Sequence, residues 1–178
     1  MVLFEDECHL LWGDCCGFVW GKRNETIAAP ISNTRQRQTY YGTLNLTTKT
    51  LHLQEFNKGN SQNTVAYVQT LQALYPGKQL WLLWDNASYH RFAAMQEFLA
   101  TLNDGLPEEE WPITCIPFAT DAPEQNPIED VWLKGKNFLR KNFTHNKTFA
   151  SVKRCFVQFL SSLSFDSRKF DWYYPQII

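Results

Sequence analysis

The segment Q-L-W-L-L-W-D at positions 79–85 constrains the fold of this chain more than any other. Leu80 to Trp84 form a continuous apolar run, which is bounded by the polar residues Gln79 and Asp85. Such a run without alternation is typical of a strand that is buried on both faces in the middle of a sheet. The segment therefore predicts an α/β domain and puts Asp85 at the carboxyl end of a central strand.

Residue patterns predict further strands and helices around this central strand. Two apolar segments near the start, 2–5 and 17–20, are predicted strands, and the first leads into Asp6. The segments 39–46 and 50–56 are rich in Thr, Tyr and Leu and predict a hairpin, and 111–118 contains another short strand. Apolar residues at helical spacing predict helices over 63–75, 92–102, 127–142 and 147–163. Antiparallel strands thus come first, followed by an alternation of strands and helices.

Length and composition favour a single globular domain over residues 1–178. The chain has 178 residues, of which 44% are hydrophobic and 15% aromatic, which is enough for a sizeable core. No apolar run approaches the roughly 20 residues of a membrane-spanning helix, and the acidic start V-L-F-E-D-E is unlike a secretory signal. We therefore expect a cytoplasmic protein without a membrane partner. Five cysteines without a C-x-x-C pair indicate reduced, buried thiols.

The net charge of -1 hides a strong asymmetry along the chain. Residues 1–130 contain 8 Lys and Arg against 16 Asp and Glu, whereas residues 131–178 contain 9 against 2. A basic segment that follows directly after an acidic motif is suited to contact with a polyanion such as DNA. The alternative is that these residues form solvated helix faces. The basic residues that follow most directly after this motif are Lys134, Lys136, Arg140, Lys141, Lys147, Lys153 and Arg154.

Three carboxylates stand at positions from which they can converge. Asp6 follows the first strand, Asp85 ends the central strand, and Glu129 lies in N-P-I-E-D-V-W, which begins a helix. Each also has a purely structural interpretation: a solvated strand end for Asp6, a turn for Asp85, and a helix cap for Glu129. Strand alternation puts Glu5 and Glu7, which flank Asp6, on the opposite face of the sheet.

The order of these elements is typical of a ribonuclease-H-like fold, with a mixed five-stranded sheet flanked by helices. The motifs F-E-D-E, W-D-N-A-S-Y-H and N-P-I-E-D-V-W resemble the catalytic signatures of DDE transposases of the Tc/mariner superfamily, in the bacterial insertion-sequence branch. The segments G-F-V-W-G-K-R and Y-Y-G-T-L-N are similar to that family's second and third strands. The resemblance covers positions 3 to about 141.

This resemblance implies a transposase catalytic domain that cuts double-stranded DNA at element ends and joins the ends to target DNA. It places the catalytic, metal-binding triad at Asp6, Asp85 and Glu129, with two Mg²⁺ or Mn²⁺ ions as cofactors. Such enzymes act as homodimers. They usually carry helix-turn-helix modules before the first acid, whereas only five residues precede Asp6 here. We therefore expect that region to be absent: either a separate chain from a split gene supplies it, or the domain is a decayed remnant. Supporting or DNA-contacting roles are expected for Asn86, His90, Asn126, Lys134, Lys136, Arg140 and Lys141.

Two segments depart from the family pattern. The residues before N-P-I-E read I-P-F-A-T-D-A-P-E-Q instead of the usual loop, and 43 residues separate Asp85 from Glu129, a longer gap than the family's. An acidic surface loop around 104–110 can absorb the extra length.

Three other functions remain as alternatives. They are a ribonuclease-H-like nuclease without strand transfer, an inactive module that binds nucleic acid or protein, and a doubly wound nucleotide-binding domain. The last lacks a glycine-rich phosphate loop.

Overall fold

A computed structural model describes residues 1–17, 20–26, 35–85, 93–119, 122–165 and 170. The strands are β1 (Val2–Leu11), β2 (Arg37–Asn45), β3 (Leu51–Phe56), β4 (Leu80–Trp84) and β5 (Ile113–Pro117). The helices are α1 (Ser61–Leu74), α2 (Ala93–Asn103), α3 (Pro127–Lys141) and α4 (Phe149–Ser161). Short 3₁₀ turns lie at Gly13–Cys15, Glu108–Glu110, Pro123–Gln125 and Phe143–His145.

The strands form one mixed sheet in the order β3-β2-β1-β4-β5. The first three strands are antiparallel neighbours, whereas β4 runs parallel to both β1 and β5. Parallel neighbours need a crossover, and the chain provides one through α1 before β4 and another through α2 before β5. The predicted architecture, a five-stranded mixed sheet flanked by helices, is confirmed.

The first strand is longer than its sequence pattern predicts. We expected a strand over 2–5 with Asp6 at its end, but β1 continues to Leu11. Antiparallel β2 pairs with β1 from Leu3 to Leu11, whereas parallel β4 pairs only with residues Val2 to Phe4. Asp6 therefore lies inside a long strand, just beyond the last residue that pairs with β4. Among the described residues, the edge of β1 that faces β4 therefore has no paired strand beside Asp6.

The two faces of the sheet carry separate hydrophobic layers. In β1, Phe4 and Cys8 face α3 and α4, where they join a core that includes Trp132 and Phe156. Leu3 faces the other layer, which is built on α1 and α2. This alternation along β1 puts Asp6 on the side of α3, with Glu5 on the side of α1.

Close contact between α3 and α4 holds the first of these layers together. Gly135 of α3 lies against α4, and a Cβ at this position would lie 2.5 Å from Cε2 of Phe156. The aromatic rings of Phe138 and Phe159 stack at a centroid distance of 4.1 Å between the same two helices. Helix α3 is therefore fixed both to the sheet and to its neighbour.

Other predictions from the sequence have mixed outcomes. The strand predicted over 17–20 lies partly outside the described residues, and Gly17 and Trp20 at its ends are not in a strand. Trp20, which apolar neighbours predict to be core, is fully exposed, and Trp81 is 46% exposed. The five cysteines are free thiols. In the part of the chain that the structure describes, no helix is long and apolar enough to cross a membrane.

Candidate active site

Asp6 is a buried carboxylate in a strongly unfavourable electrostatic position. Its side chain is 9% exposed, and Nε1 of Trp132 donates a hydrogen bond to its Oδ2 at 2.8 Å. Burial raises the pKa of Asp6 well above its usual range, and the charges of Glu129, Glu7 and Asp85 raise it further. The Trp132 hydrogen bond lowers the pKa, but less than these effects raise it. Asp6 therefore lies within electrostatic range of both other acids of the predicted triad.

The strand register brings Asp85 to the level of Asp6. Strands β1 and β4 pair in parallel with Phe4 opposite Leu83, and two further residues along each strand lead to Asp6 and Asp85. Opposite residues in neighbouring strands point to the same face of a sheet, and Leu83 packs with the layer under α3. Asp85, which is exposed, follows the end of β4 beside the part of β1 that β4 leaves unpaired.

Helix α3 begins next to the same point of the sheet. Asn126 is its N-cap, since its Oδ1 accepts a hydrogen bond from the backbone N–H of Ile128 at 3.3 Å, and Pro127 follows in the first turn. The Nδ2 of Asn126 donates to the backbone carbonyl of Glu5 at 3.0 Å. This buried bond ties the start of the helix to the residue before Asp6, and Glu129 follows in the first turn with an exposed side chain.

The three acids converge without forming a compact set of metal ligands. Within the described residues, no group of three His, Cys, Asp or Glu side chains is placed so that it could hold a metal ion directly. Like charges repel, and Asp85 and Glu129 are exposed side chains that can change rotamer toward Asp6. The donor set itself suits Mg²⁺ or Mn²⁺, which favour a few carboxylates together with water and substrate oxygens. The residues therefore fit such an ion in chemical type, and Asp85 and Glu129 would have to reorient toward Asp6 to hold it together with that residue.

Glu5 and Glu7 flank Asp6 but stand on the other face of β1. Glu5 is fully buried, and its charge acts on Tyr41 and Tyr67, which pack with α1. Trp132 of α3, by contrast, reaches only the Asp6 side of the strand. Asp6 is thus the acid of this motif that shares a face with Glu129.

Basic side chains continue along α3 beyond Glu129. Lys134 and Lys141 are exposed, and Lys136 and Arg140 are partly buried. Burial raises the pKa of the Cys8 thiol to about 12, whereas the nearby Lys136 ammonium acts against this shift. Asp6 and Glu129 also act on Cys8, so all three charges lie within electrostatic range of this thiol.

One basic residue of the C-terminal segment is engaged elsewhere. The Nζ of Lys153 donates to Oε1 of Gln38 at 3.1 Å and lies 3.4 Å from Oε2 of Glu55. This lysine therefore ties α4 to β2 and β3. Two other predicted residues, Asn86 and His90, lie outside the described residues.

The role of Trp132 at the site was not visible in the sequence. Its position four residues after Ile128 predicts only packing of α3 on the sheet, which it does provide. The hydrogen bond to Asp6 joins residues that are 126 positions apart, so no local pattern signals it. Gly42 could have indicated this contact, because a glycine inside a predicted strand often marks a place where another side chain or backbone segment packs closely against the strand.

A mixed five-stranded sheet in this strand order, flanked by helices, is the ribonuclease-H-like fold of transposase catalytic domains. The sequence profile described as "DDE superfamily endonuclease" matches residues 1–153, and the chain belongs to this family. No curated protein matches the sequence.

Solved structures show the same fold at low sequence identity. The Mos1 transposase paired-end complex with left transposon end has a TM-score of 0.57 and 16% identity, covering 96% of this chain and 50% of that chain. The catalytic domain of Mos1 mariner transposase has a TM-score of 0.54 and 13% identity, covering 96% and 73%. A simian T-cell lymphotropic virus intasome has a TM-score of 0.53 and 9% identity, covering 94% and 50%. The chain spans about half the length of the Mos1 chain in the paired-end complex.

Proposed function

We propose that this chain is the catalytic domain of a Tc/mariner-type DNA transposase of the bacterial insertion-sequence branch, and that residues 1–178 act as one domain. It would cut double-stranded DNA at element ends and join those ends to target DNA in the cytoplasm. The main support is that the charges of Glu129 and Asp85 act on the buried Asp6, where the end of β4 and the first turn of α3 approach the part of β1 that β4 leaves unpaired. The similar Mos1 structures include a complex with a transposon end and a strand transfer complex.

In the proposed site, Asp6, Asp85 and Glu129 together hold two Mg²⁺ or Mn²⁺ ions. Structures of the Mos1 catalytic domain with raltegravir contain Mn in one case and Mg in another. When bound, such ions would supply Lewis-acid activation of the attacking oxygen and stabilisation of the leaving oxygen. Asp6 is buried and held by Trp132, so it provides the rigid part of the site. Asp85 and Glu129 are exposed and provide the part that meets DNA.

The DNA backbone would lie along the basic side of α3. The charge of Lys136 acts on the same thiol, Cys8, as the charges of Asp6 and Glu129 do, and we propose that Lys136 binds the phosphate next to the one that is cut. Arg140 lies one turn beyond Lys136 on the same side of α3, Lys134 and Lys141 lie on the exposed side of the helix, and Asn126 holds the helix start against β1. Such contacts would position a phosphodiester for attack without reading its sequence. We further propose that the active form is a homodimer and that a helix-turn-helix region selects the element ends.

Replacing Glu129 with Gln should remove both cutting and joining. The amide cannot carry the negative charge that a divalent ion requires, so we expect both rates to fall by about 100-fold or more. The assay incubates the protein with supercoiled plasmid and a labelled oligonucleotide that carries a 3′-OH, in Mg²⁺ or Mn²⁺. Nicked plasmid reports cutting, and label on the plasmid reports joining.

Glu124→Gln is the matched control for this experiment, because Glu124 is an exposed acid in the turn before α3. It should cut and join at the rate of the unchanged protein. Nicks without labelled plasmid would overturn the strand-transfer part of the proposal and leave a nuclease. Equal activity of the Glu129→Gln variant and the control would contradict the role of Glu129.

A further inference from the structure

A buried indole makes a direct contact with the Asp6 carboxylate. The Nε1 of Trp132 donates to Oδ2 of Asp6 at 2.8 Å, and the two side chains are 3% and 9% exposed. A hydrogen bond from a neutral donor to a carboxylate is stronger and more directional in such a buried place than in water. The bond therefore restricts rotation of the carboxylate and leaves Oδ1 outside this contact.

A glycine in the neighbouring strand provides the space that the indole occupies. Gly42 of β2 is the direct partner of Asp6 in the β1–β2 pairing. A Cβ at this position would lie 2.3 Å from Cη2 and 2.5 Å from Cζ2 of Trp132. The ring therefore passes over the backbone of β2 at the one position where no side chain blocks its path to Asp6.

Helix α4 holds the same ring from another direction. The rings of Trp132 and Phe156 stack with a centroid distance of 6.4 Å and an angle of 20° between their planes. The backbone at Gly42 and the ring of Phe156 thus fix the indole plane, and this plane fixes the direction in which the N–H points. The hydrogen bond to Asp6 is a consequence of this packing.

The contact also links two of the acids to each other. Trp132 lies three residues after Glu129 in α3, so its bond to β1 fixes the distance between Asp6 and the helix that carries Glu129. The bond from Asn126 to the carbonyl of Glu5 provides a second link at the start of the same helix. Groups that orient a metal ligand in this way commonly change metal affinity or activity by 10- to 100-fold when they are removed.

We propose that Trp132 is a positioning residue for Asp6, and that the absence of a side chain at Gly42 lets the indole ring of Trp132 reach this carboxylate. Together they hold the Asp6 carboxylate in the orientation in which it binds a divalent ion. The role rests on the proposed function in that it assumes an ion at Asp6, but it concerns binding of the ion and is separate from the cutting of DNA.

The test replaces Trp132 with benzothienylalanine, which has nearly the same shape and carries sulfur in place of the indole N–H. Mn²⁺ binding to the DNA-free protein is measured by electron paramagnetic resonance of the unbound ion, beside the Mn²⁺ concentration for half-maximal plasmid nicking and the melting temperature. We expect Mn²⁺ affinity to fall by about 10-fold or more. The melting temperature should change little, because the ring and its packing are kept. Trp132→Phe, tested in parallel, should lower both.

The same replacement at Trp111 is the matched control, because its Nε1 also donates a hydrogen bond, to the carbonyl of Leu106 at 3.2 Å. This variant should bind Mn²⁺ as the unchanged protein does. Unchanged Mn²⁺ affinity in the Trp132 variant, with DNA cutting intact, would overturn the positioning role and leave the proposed function standing. Mn²⁺ binding that depends on Trp132 in a protein that never cuts DNA would support the positioning role and refute the proposed function.

Discussion

Replacing Asp6 with Asn should abolish DNA cutting and at the same time stabilise the metal-free protein. Loss of a charged ligand removes the electrostatic stabilisation that bound ions give to the reaction, and we expect a rate at least about 1000-fold lower. The fold should gain stability because burial and the charges of Glu129, Glu7 and Asp85 disfavour the ionised form of Asp6, whereas the Asn side chain is neutral at every pH. Asn keeps an oxygen that can accept the hydrogen bond from Trp132.

The raised pKa of Asp6 also determines how the stability of the folded protein changes with pH. The pKa of Asp6 is raised in the folded protein, whereas in the unfolded chain it is near 3.9. Between these two pKa values the folded state binds a proton that the unfolded state does not. The stability that Asp6 contributes is therefore fully present below the unfolded pKa and is lost as the pH rises through the folded pKa. Asp6→Asn should remove this part of the pH dependence.

Thermal unfolding between pH 4 and 8 in the presence of a chelator, beside the plasmid assay, measures both effects. Asp104→Asn is the control, because Asp104 is an exposed acid in the loop after α2. It should leave cutting unchanged and the free energy of unfolding within about 0.5 kcal/mol. A metal-free Asp6→Asn variant that melts below the unchanged protein at neutral pH would contradict this account of Asp6.

Replacing Gly42 with Val should cause the largest loss of stability among the substitutions considered. The new Cβ would lie 2.3 Å from Cη2 of Trp132, so either the indole or the backbone of β2 must move. Overpacking of this kind costs on the order of 3 kcal/mol when the surroundings cannot adjust. Here Phe156 holds the ring from α4. For a chain of this size we expect the melting temperature to fall by roughly 6–12 °C.

Gly13→Val provides the comparison for this substitution, because nothing lies within 4 Å of a Cβ at Gly13. Its melting temperature should stay close to that of the unchanged protein. Val is favoured over Gly in strands, so a gain in stability for Gly42→Val would mean that the indole does not lie over β2 as described. A fall in both variants would point to a general intolerance of valine.

Much of the fold was predictable because the local sequence of most strands and helices favours the same secondary structure that their packing in the fold requires. The apolar run 80–84 is a parallel strand in the interior of the sheet, although Trp81 is 46% exposed, and the hairpin over 39–56 appears as β2 and β3. The sequence N-P-I-E predicts a helix start, and Asn126 caps α3 as expected. In these elements, periodicity, turn residues and capping residues all favour the same structure.

The extent of β1 could not be predicted, because the segment after Phe4 has acids that point to both faces. What keeps it in the sheet is pairing with β2 along nine residue pairs, which is a tertiary interaction. The residues Asp6, Asp85 and Glu129 were identified from strand ends, a helix start and a family resemblance. The geometry adds what the sequence could not contain, namely that Trp132 reaches Asp6 across 126 residues through the space left by Gly42.

Nicking of supercoiled plasmid in Mg²⁺ or Mn²⁺, by the unchanged protein and by Asp85→Asn, tests the central claim most directly. Asp85 is exposed, so this substitution should leave the fold intact, and Asp104→Asn controls for the loss of one surface charge. The account predicts metal-dependent nicking that the Asp104→Asn variant retains and the Asp85→Asn variant loses. Metal-dependent nicking that persists in Asp85→Asn, or no nicking by any of the three proteins, would contradict a DNA-cutting site built on Asp6, Asp85 and Glu129.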